Sequence, residues 1–86
     1  MADLSTRQLH NISLVRENWI LLNERERQVI YLLYGMDQFP NKPRTLDETG
    51  KLLVNYANDF PTSLTRERVR QIEHAVLSKI ERLNND

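Results

Sequence analysis

The sequence contains no cysteine, and this absence excludes three kinds of chemistry at once. Disulfide cross-links, thiolate nucleophiles and cysteine-ligated zinc all require the missing side chain. With two glycines and three prolines, the chain also has no flexible glycine-rich linker and no glycine loop that could cradle a phosphate. Its 86 residues can hold one small core, because a chain of this length buries only about 60% of the surface that its unfolded form exposes.

Long apolar runs are missing as well. A helix that spans a bilayer needs about 20 consecutive apolar residues, whereas runs such as residues 19–22 are only a few residues long. The polar residues up to Asn11 leave no apolar segment of a signal peptide. We therefore expect a cytoplasmic protein that does not associate with a membrane.

The chain carries no net charge, with 12 basic and 12 acidic side chains. Neutrality argues mildly against a protein that holds nucleic acid by charge alone, since such domains usually carry a basic excess. The charges are unevenly distributed, however, because residues 64–83 contain five basic and three acidic side chains. The last part of the chain is therefore locally basic.

Apolar residues recur at steps of three and four along much of the chain, and this spacing predicts an all-α protein. The first helix is expected over residues 5–22. Asn23 is the expected N-cap of the second helix, which should end at Tyr34 or at Gly35, the residue type best suited to a left-handed C-terminus. Residues 36–44 hold two prolines and are predicted to form a loop.

A third helix is predicted after the threonine and glutamate of residues 45–48, which have the spacing of a capping box. It should begin at Leu46 and end near Ala57, with a loop after it. Gly50 lies inside this helix, where glycine costs about 1 kcal/mol relative to alanine and is best tolerated if another element approaches closely. Thr65 can cap the last helix, whose apolar stripe continues for nearly five turns. We therefore expect a small bundle of four or five helices.

The polar face of the last helix is the most informative feature of the sequence. At about 100° per residue, one face carries Arg66, Arg70, Gln71 and His74, with Glu67 beside them. Arginine can pair with guanine, glutamine with adenine and glutamate with cytosine. Two capped helices in succession, the second with such side chains in its first turns, are typical of a helix-turn-helix. A solvated face stabilised by side-chain pairs one turn apart explains the same pattern equally well.

Three sequence blocks follow one another along the chain. The first covers residues 22–30 and 34–37, and the second covers residues 45–51. The third covers residues 65–73 and reads TRERVRQIE. These blocks resemble region 4 of the sigma-70 family of bacterial RNA polymerase sigma factors, over about residues 22–83. The resemblance implies a compact helical bundle with a helix-turn-helix that reads the −35 promoter element in the major groove. It also implies that another surface docks on the flap of the polymerase β subunit, and that activators or anti-sigma proteins bind the domain.

The resemblance assigns expected roles to individual positions. The residues that match base-contacting or groove-facing positions of the family are Arg66, Glu67, Arg70 and Gln71. Arg68 is expected to contact phosphate or a partner. His74 is not assigned by the resemblance, but its place on the polar face of the last helix leads us to expect it near phosphate. The residues that match positions near the phosphate backbone are Arg25, Thr45, Leu46 and Lys51. Thr45 and Leu46 open a helix whose N–H groups would form an anion site, and capping by Thr45 is compatible with that role.

The sequence departs from the family in three places. About nine extra residues lie within residues 54–64, between the two helices of the expected helix-turn-helix. Residues 31–33 stand where the family often has arginine, and Ala75, Ser78 and Glu81 dilute the usual basic residues of the last helix. Each lost phosphate contact lowers both the affinity for DNA and its salt dependence. We therefore expect the isolated chain to bind DNA weakly.

We expect residues 22–86 to form the helix-turn-helix domain and residues 1–21 to form a helical extension. The extension lacks the character of sigma region 2, so the chain is either a fragment of a sigma factor or a stand-alone regulator. The start at Met1 and the atypical insertion favour the regulator. The apolar stripe of the extension, which includes Trp19, either belongs to the core or binds a partner helix, and we favour the core.

An enzyme is not expected, because the sequence has no nucleophile motif and no carboxylate pair in apolar surroundings. His10 and His74 are far apart and have no cysteine partners, so neither a metal nor a cofactor is expected. The resemblance favours a transcription protein that links promoter DNA to RNA polymerase. The alternative is a protein-interaction module of the same fold, which binds polymerase or a sigma regulator without reading DNA. Neutral charge and the insertion favour this alternative, whereas the intact motif in residues 65–73 opposes it.

Overall fold

The computed structural model describes residues 5–56 and 64–84. Its elements are α1 (Thr6–Glu17), a short 3₁₀ turn (Trp19–Leu21), α2 (Glu24–Leu33), α3 (Leu46–Tyr56) and α4 (Arg66–Asn84). No strand occurs within these residues, which confirms the predicted all-α class. Among the helices described, none is long and apolar enough to cross a bilayer.

A side-chain oxygen caps the N-terminus of each helix by accepting a hydrogen bond from a backbone N–H one turn later. The caps are Ser5, Asn23, Thr45 and Thr65. The first three are closed into capping boxes, because their own N–H groups donate to the side chains of Gln8, Glu26 and Glu48 respectively. The last three caps confirm the sequence prediction, since a cap depends only on residues three positions apart.

The first helix is shorter than the predicted helix over residues 5–22. α1 ends at Glu17, and Asn18 leaves helical geometry with φ −117° and ψ 20°. The buried Asn18 side chain donates to the carbonyl oxygen of Leu14 at 2.8 Å and accepts from Asn84 of α4 at 3.2 Å. The predicted end was therefore wrong because a buried amide competes for backbone groups here, and apolar periodicity does not reveal such a contact.

The second helix ends at the predicted glycine. Gly35 has φ 64°, the left-handed conformation. The N–H of Gly35 donates to the carbonyl oxygen of Leu32 at 3.1 Å, and the N–H of Met36 donates to that of Tyr31 at 2.9 Å, which together make a Schellman motif. A Cβ at this position would lie 2.0 Å from the carbonyl oxygen of Lys42, so only glycine fits.

One hydrophobic core joins all four helices. Its buried apolar side chains are Ile12, Val15, Leu22, Val29, Ile30, Leu32, Leu33, Tyr34, Leu53, Val69, Ile72, Val76 and Ile80. Leu9 and Leu83, which continue the apolar spacing at the start of the first helix and the end of the last one, lie outside the core, because Leu9 is 51% exposed and Leu83 is 45% exposed. Trp19 packs against the core and is only partly buried. The apolar stripe of the first segment therefore contributes to the core through its middle and its end, and not through Leu9.

α3 approaches the start of α4 closely at Gly50, as predicted. A Cβ on this glycine would lie 2.1 Å from the carbonyl oxygen of Leu64, whose N–H donates to the Gly50 carbonyl oxygen at 3.1 Å. Thr49 is fully buried and donates its hydroxyl to the carbonyl oxygen of Thr45 at 2.9 Å. Residues 57–63, which hold most of the predicted insertion and of the loop after the third helix, lie outside the described residues.

Among the described residues, one ion pair joins two helices and another lies within the loop between α2 and α3. Lys79 on α4 contacts the carboxylate of Glu26, at the N-terminus of α2, at 2.6 Å. Arg44 donates to both carboxylate oxygens of Asp37, at 2.7 and 2.8 Å, and to the carbonyl oxygen of Leu32 at 2.8 Å. The predicted loop between α2 and α3 is therefore present and is anchored to the end of α2.

Candidate nucleic-acid interface

The N-terminal half of α4 presents one polar face to solvent. Val69, Ile72 and Val76 form the buried side of this segment. All the predicted DNA-contacting residues of α4 are exposed, and these are Arg66, Glu67, Arg68, Arg70, Gln71 and His74. Because Thr65 caps the helix immediately before them, they occupy its first three turns. The polar face and the apolar stripe of α4 are thus separated as the helical spacing predicts.

α3 and α4 are the pair of helices expected for a helix-turn-helix. They pack against each other at Gly50, where an added Cβ would lie 3.5 Å from the side chain of Val69. The close approach leaves the opposite side of α4 free of the bundle. This arrangement is compatible with a helix-turn-helix in which α4 is the recognition helix.

Glu67 and Arg70 form a two-pronged ion pair on the exposed face. Arg70 Nε donates to Glu67 Oε2 at 3.0 Å, and Nη2 donates to Oε1 at 2.5 Å. The hydrogen bond from Arg70 lowers the pKa of Glu67, and the same contact raises the pKa of Arg70. Both groups are therefore charged at neutral pH, and a base or phosphate that approaches Arg70 must share its guanidinium with Glu67.

Arg68 and Gln71 lie near the N-terminus of α2. They line a shallow depression of about 210 Å³ together with Asn23 and Arg25. Two cations from different helices are thereby placed around the two amide side chains, and the Glu26 carboxylate in the same lining is paired with Lys79. Such an arrangement suits a phosphate oxygen better than an apolar ligand.

Thr45 and Leu46 open α3 and line a groove of about 320 Å³ that also reaches Glu73 on α4. The Thr45 N–H donates to the Glu48 carboxylate at 2.9 Å, and this bond lowers the pKa of Glu48. Asp47 adds a second carboxylate to the first turn. These charges weaken the positive potential that a helix N-terminus offers to a phosphate.

Lys51 and His74 are exposed, on α3 and α4 respectively. Neither side chain lines the depression at Arg25 or the groove at Thr45. The structure therefore places these two candidates on the surface without bringing them into either cluster.

Known proteins match the chain at the level of sequence. No protein-family profile and no solved structure matches it. RNA polymerase sigma factor SigA1 of Synechococcus elongatus is 38% identical over 65 residues, which are 76% of this chain and 14% of that protein. RNA polymerase sigma factor SigA of a Bacillus species is 41% identical over 59 residues, 69% of this chain and 13% of that protein. SigA of a Nostoc species is 37% identical over 65 residues, 76% of this chain and 14% of that protein.

The chain is related to RNA polymerase sigma factors. The matches support a relationship to the sigma-70 family and extend over roughly one seventh of the length of these relatives. The matched segment has the length of a single helical bundle, which is all that a chain of this size can hold.

Two basic residues that line the groove at Thr45 were not predicted from the sequence. Arg7 on α1 and Arg44 before α3 line the groove at Thr45, together with the buried side chain of Tyr34. Burial raises the pKa of the Tyr34 hydroxyl, and the nearby Glu73 carboxylate raises it further. Arg7 is far from Thr45 in sequence, so no spacing rule connects them. The position of Arg44 directly before the predicted cap was a signal that could have been used.

Proposed function

We propose that the chain acts in transcription as a module like sigma region 4, which binds promoter DNA of the −35 type and contacts RNA polymerase. The single observation that carries the proposal is the exposed polar face in the first turns of α4, in a chain related to sigma factors. Residues 22–86 would form this module and residues 1–21 its N-terminal extension. The module would work without catalysis, as an adaptor between DNA and polymerase.

α4 is the element that would enter the major groove, which is wide enough to admit a helix. Arg66 and Arg70 offer guanidinium forks to guanine O6 and N7. Gln71 offers a donor and an acceptor to adenine, and Glu67 can accept from cytosine N4. All four side chains are exposed in the first turns of α4, where recognition helices contact base edges.

The residues beside α4 would hold the phosphate backbone. Arg25 and Arg68 lie at one depression, and the N-terminus of α3 at Leu46 lies at the other groove. Lys51 and His74 add exposed basic or titratable groups on α3 and α4. Such contacts fix the position of a protein on DNA and carry no sequence information.

A groove between α1 and the second half of α4 is the surface that we assign to polymerase. It has a volume of about 380 Å³, and its lining includes Leu14, Leu77 and Ile80. Leu9 and Leu83 are exposed on the same two helices. An apolar groove of this kind suits an apolar segment of the β flap, and an activator or anti-sigma protein would compete for it.

Fluorescence anisotropy on short duplexes tests the proposal. The chain is titrated onto a duplex with a TTGACA element and onto a scrambled duplex, over a series of salt concentrations, with and without the isolated β-flap domain. We expect a preference for the element that is lost in the double variant Arg70→Ala, Gln71→Ala, at about 1–3 kcal/mol for each lost bidentate contact. Arg82→Ala, in the last turn of α4, is the control for loss of one positive charge.

The second candidate function is a protein adaptor of the same fold that does not read DNA. The observation that favours it is the contact of Glu67 with Arg70, which neutralises part of the recognition face in a chain with no net charge. Tight binding of the flap domain, combined with DNA binding that is equal on both duplexes or absent, would establish this function instead.

A further inference from the structure

A second surface, on the outer side of α2, contains none of the residues assigned to DNA or polymerase. It is a depression of about 260 Å³ between the 3₁₀ turn and α2, and its lining is Trp19, Glu24, Arg27, Gln28 and Tyr31. Three features point to a ligand here: a fixed arginine, a buried amide oxygen without a partner among the described residues, and exposed aliphatic side chains that directly follow the tryptophan of the lining.

Arg27 is held in place on one side of the depression. Its Nε donates to the carbonyl oxygen of Trp19 at 3.0 Å, and its guanidinium carbon lies 6.0 Å from the centre of the Trp19 ring. The bond at Nε leaves the terminal Nη groups oriented and able to donate further. Arg27 is therefore a prearranged donor next to an aromatic face.

Gln28 places its amide oxygen under the depression without a hydrogen bond. Oε1 is buried and has no partner among the described residues. The amide nitrogen makes only a long contact, 3.5 Å, with the Glu24 carboxylate. A buried acceptor without a partner destabilises the free protein. Rotation of the terminal amide toward a ligand would break one weak contact and satisfy the oxygen.

Exposed aliphatic side chains directly follow Trp19 in the chain. In the 3₁₀ turn, Ile20 is 84% exposed and Leu21 is 39% exposed, directly after Trp19. A partner that covers these side chains must itself be apolar. Glu24 at the other edge carries a negative charge, which opposes the phosphates of a nucleic acid.

We infer that this surface binds an extended peptide segment of a partner protein. A peptide group carries an N–H donor and a carbonyl acceptor side by side, which match Gln28 Oε1 and the Arg27 guanidinium respectively. An apolar side chain of the segment covers Ile20 and packs against Trp19. The inference does not depend on DNA reading by α4, because the two surfaces share no residue.

The only tryptophan of the sequence, Trp19, reports on this surface. A displayed library of random peptides about 12 residues long is selected on the whole chain, and the selected peptides are then synthesised and titrated while tryptophan emission is recorded. We expect binding that shifts the emission of Trp19. The double variant Arg70→Ala, Gln71→Ala should bind the peptides unchanged, which separates this inference from the proposed function.

Gln28→Leu is the decisive variant. It removes the buried acceptor without a partner, so the thermal unfolding midpoint should rise while peptide affinity falls by about tenfold. Gln38→Leu makes the same change at an exposed loop residue and should leave affinity unchanged. Selection of no peptide, peptides that leave Trp19 emission unchanged, or equal affinity for the Gln28→Leu variant would each overturn the inference.

Discussion

Glu67 and Arg70 hold each other on the exposed face of α4 through two hydrogen bonds. More than half of each side chain is exposed, so water screens the pair and its effect on stability is small. Its main effect is on geometry, because it restricts two flexible side chains before any ligand arrives. Less side-chain entropy is then lost on binding, and an acceptor and a donor are placed one helical turn apart. The pair therefore fixes the geometry of both side chains on this face, whichever partner the face binds.

The ionisation of the Asp37 carboxyl makes the free energy of unfolding depend on pH. The Arg44 guanidinium holds the pKa of this carboxyl below its ordinary value of 3.8. A lowered pKa in the folded state means that the stabilisation is complete above the pKa of the unfolded chain and is lost as pH falls through the folded pKa. Asp37→Asn should therefore lower the free energy of unfolding at pH 7, by about 1 kcal/mol.

Urea unfolding of both proteins, followed by circular dichroism from pH 7 down to pH 2, checks this expectation. The difference between native chain and variant should begin to shrink at the ordinary carboxyl pKa and close only below the lowered pKa of the folded state, where the native Asp37 is protonated as well. A difference that stays constant over the whole range would show that the pair with Arg44 is not its source.

Among the elements, three helix caps and one helix end that depend on neighbouring residues were predicted, and a helix end that depends on a distant contact was not. The caps at Asn23, Thr45 and Thr65 and the end of α2 at Gly35 involve only neighbouring residues, and all were predicted correctly. The end of α1 was wrong, because it is set by Asn18, whose side chain also contacts α4. Sequence spacing carries no information about such a contact until the packing is known.

Gly50 tests the packing of α3 against the start of α4. Alanine should favour an isolated helix by about 1 kcal/mol, but a Cβ here would lie 2.1 Å from the backbone carbonyl oxygen of Leu64. Backbone atoms must then move apart, so Gly50→Ala should destabilise the protein by about 1–3 kcal/mol in total. Thermal and urea unfolding measure the change. Ser78→Ala, at an exposed position of α4, is the matched control and should be neutral or slightly stabilising, and an equal result for both variants would refute the close contact.

In the candidate site, too, the positions within one helix could be predicted from the sequence and the contacts between helices could not. Arg66, Arg70 and Gln71 share an exposed face because the spacing within one helix decides it. Arg7, in contrast, reaches the groove at Thr45 only because α1 packs against α4, which also lines this groove, and its contribution could not be predicted. The depression at Arg25 likewise joins two helices that are far apart in sequence. A helix face can be predicted from sequence, whereas a site between helices requires the fold.

In the molecule as a whole, the packing of α4 against α2 determines the distance between basic residues on these two helices. The Glu26 carboxylate accepts from the Asn23 N–H at 2.8 Å, as part of the α2 cap, and also contacts Lys79 of α4 at 2.6 Å. This shared carboxylate holds α4 against the N-terminus of α2, where Arg25 and Arg68 line one depression. The chain has no net charge, so in the proposed function a few cations in fixed positions would supply the attraction to DNA.

Arg25→Ala should therefore weaken DNA binding in a way that does not depend on sequence. A phosphate contact carries no base information, so affinity for the TTGACA duplex and for the scrambled duplex should fall by the same factor, about fivefold near physiological salt. The slope of log affinity against log salt should become shallower by about one. Arg16→Ala removes the same charge from the last turn of α1 and should change the slope less. If Arg25→Ala instead reduced the preference for the element and left the slope unchanged, Arg25 would act by positioning α4 against the bases rather than by holding phosphate.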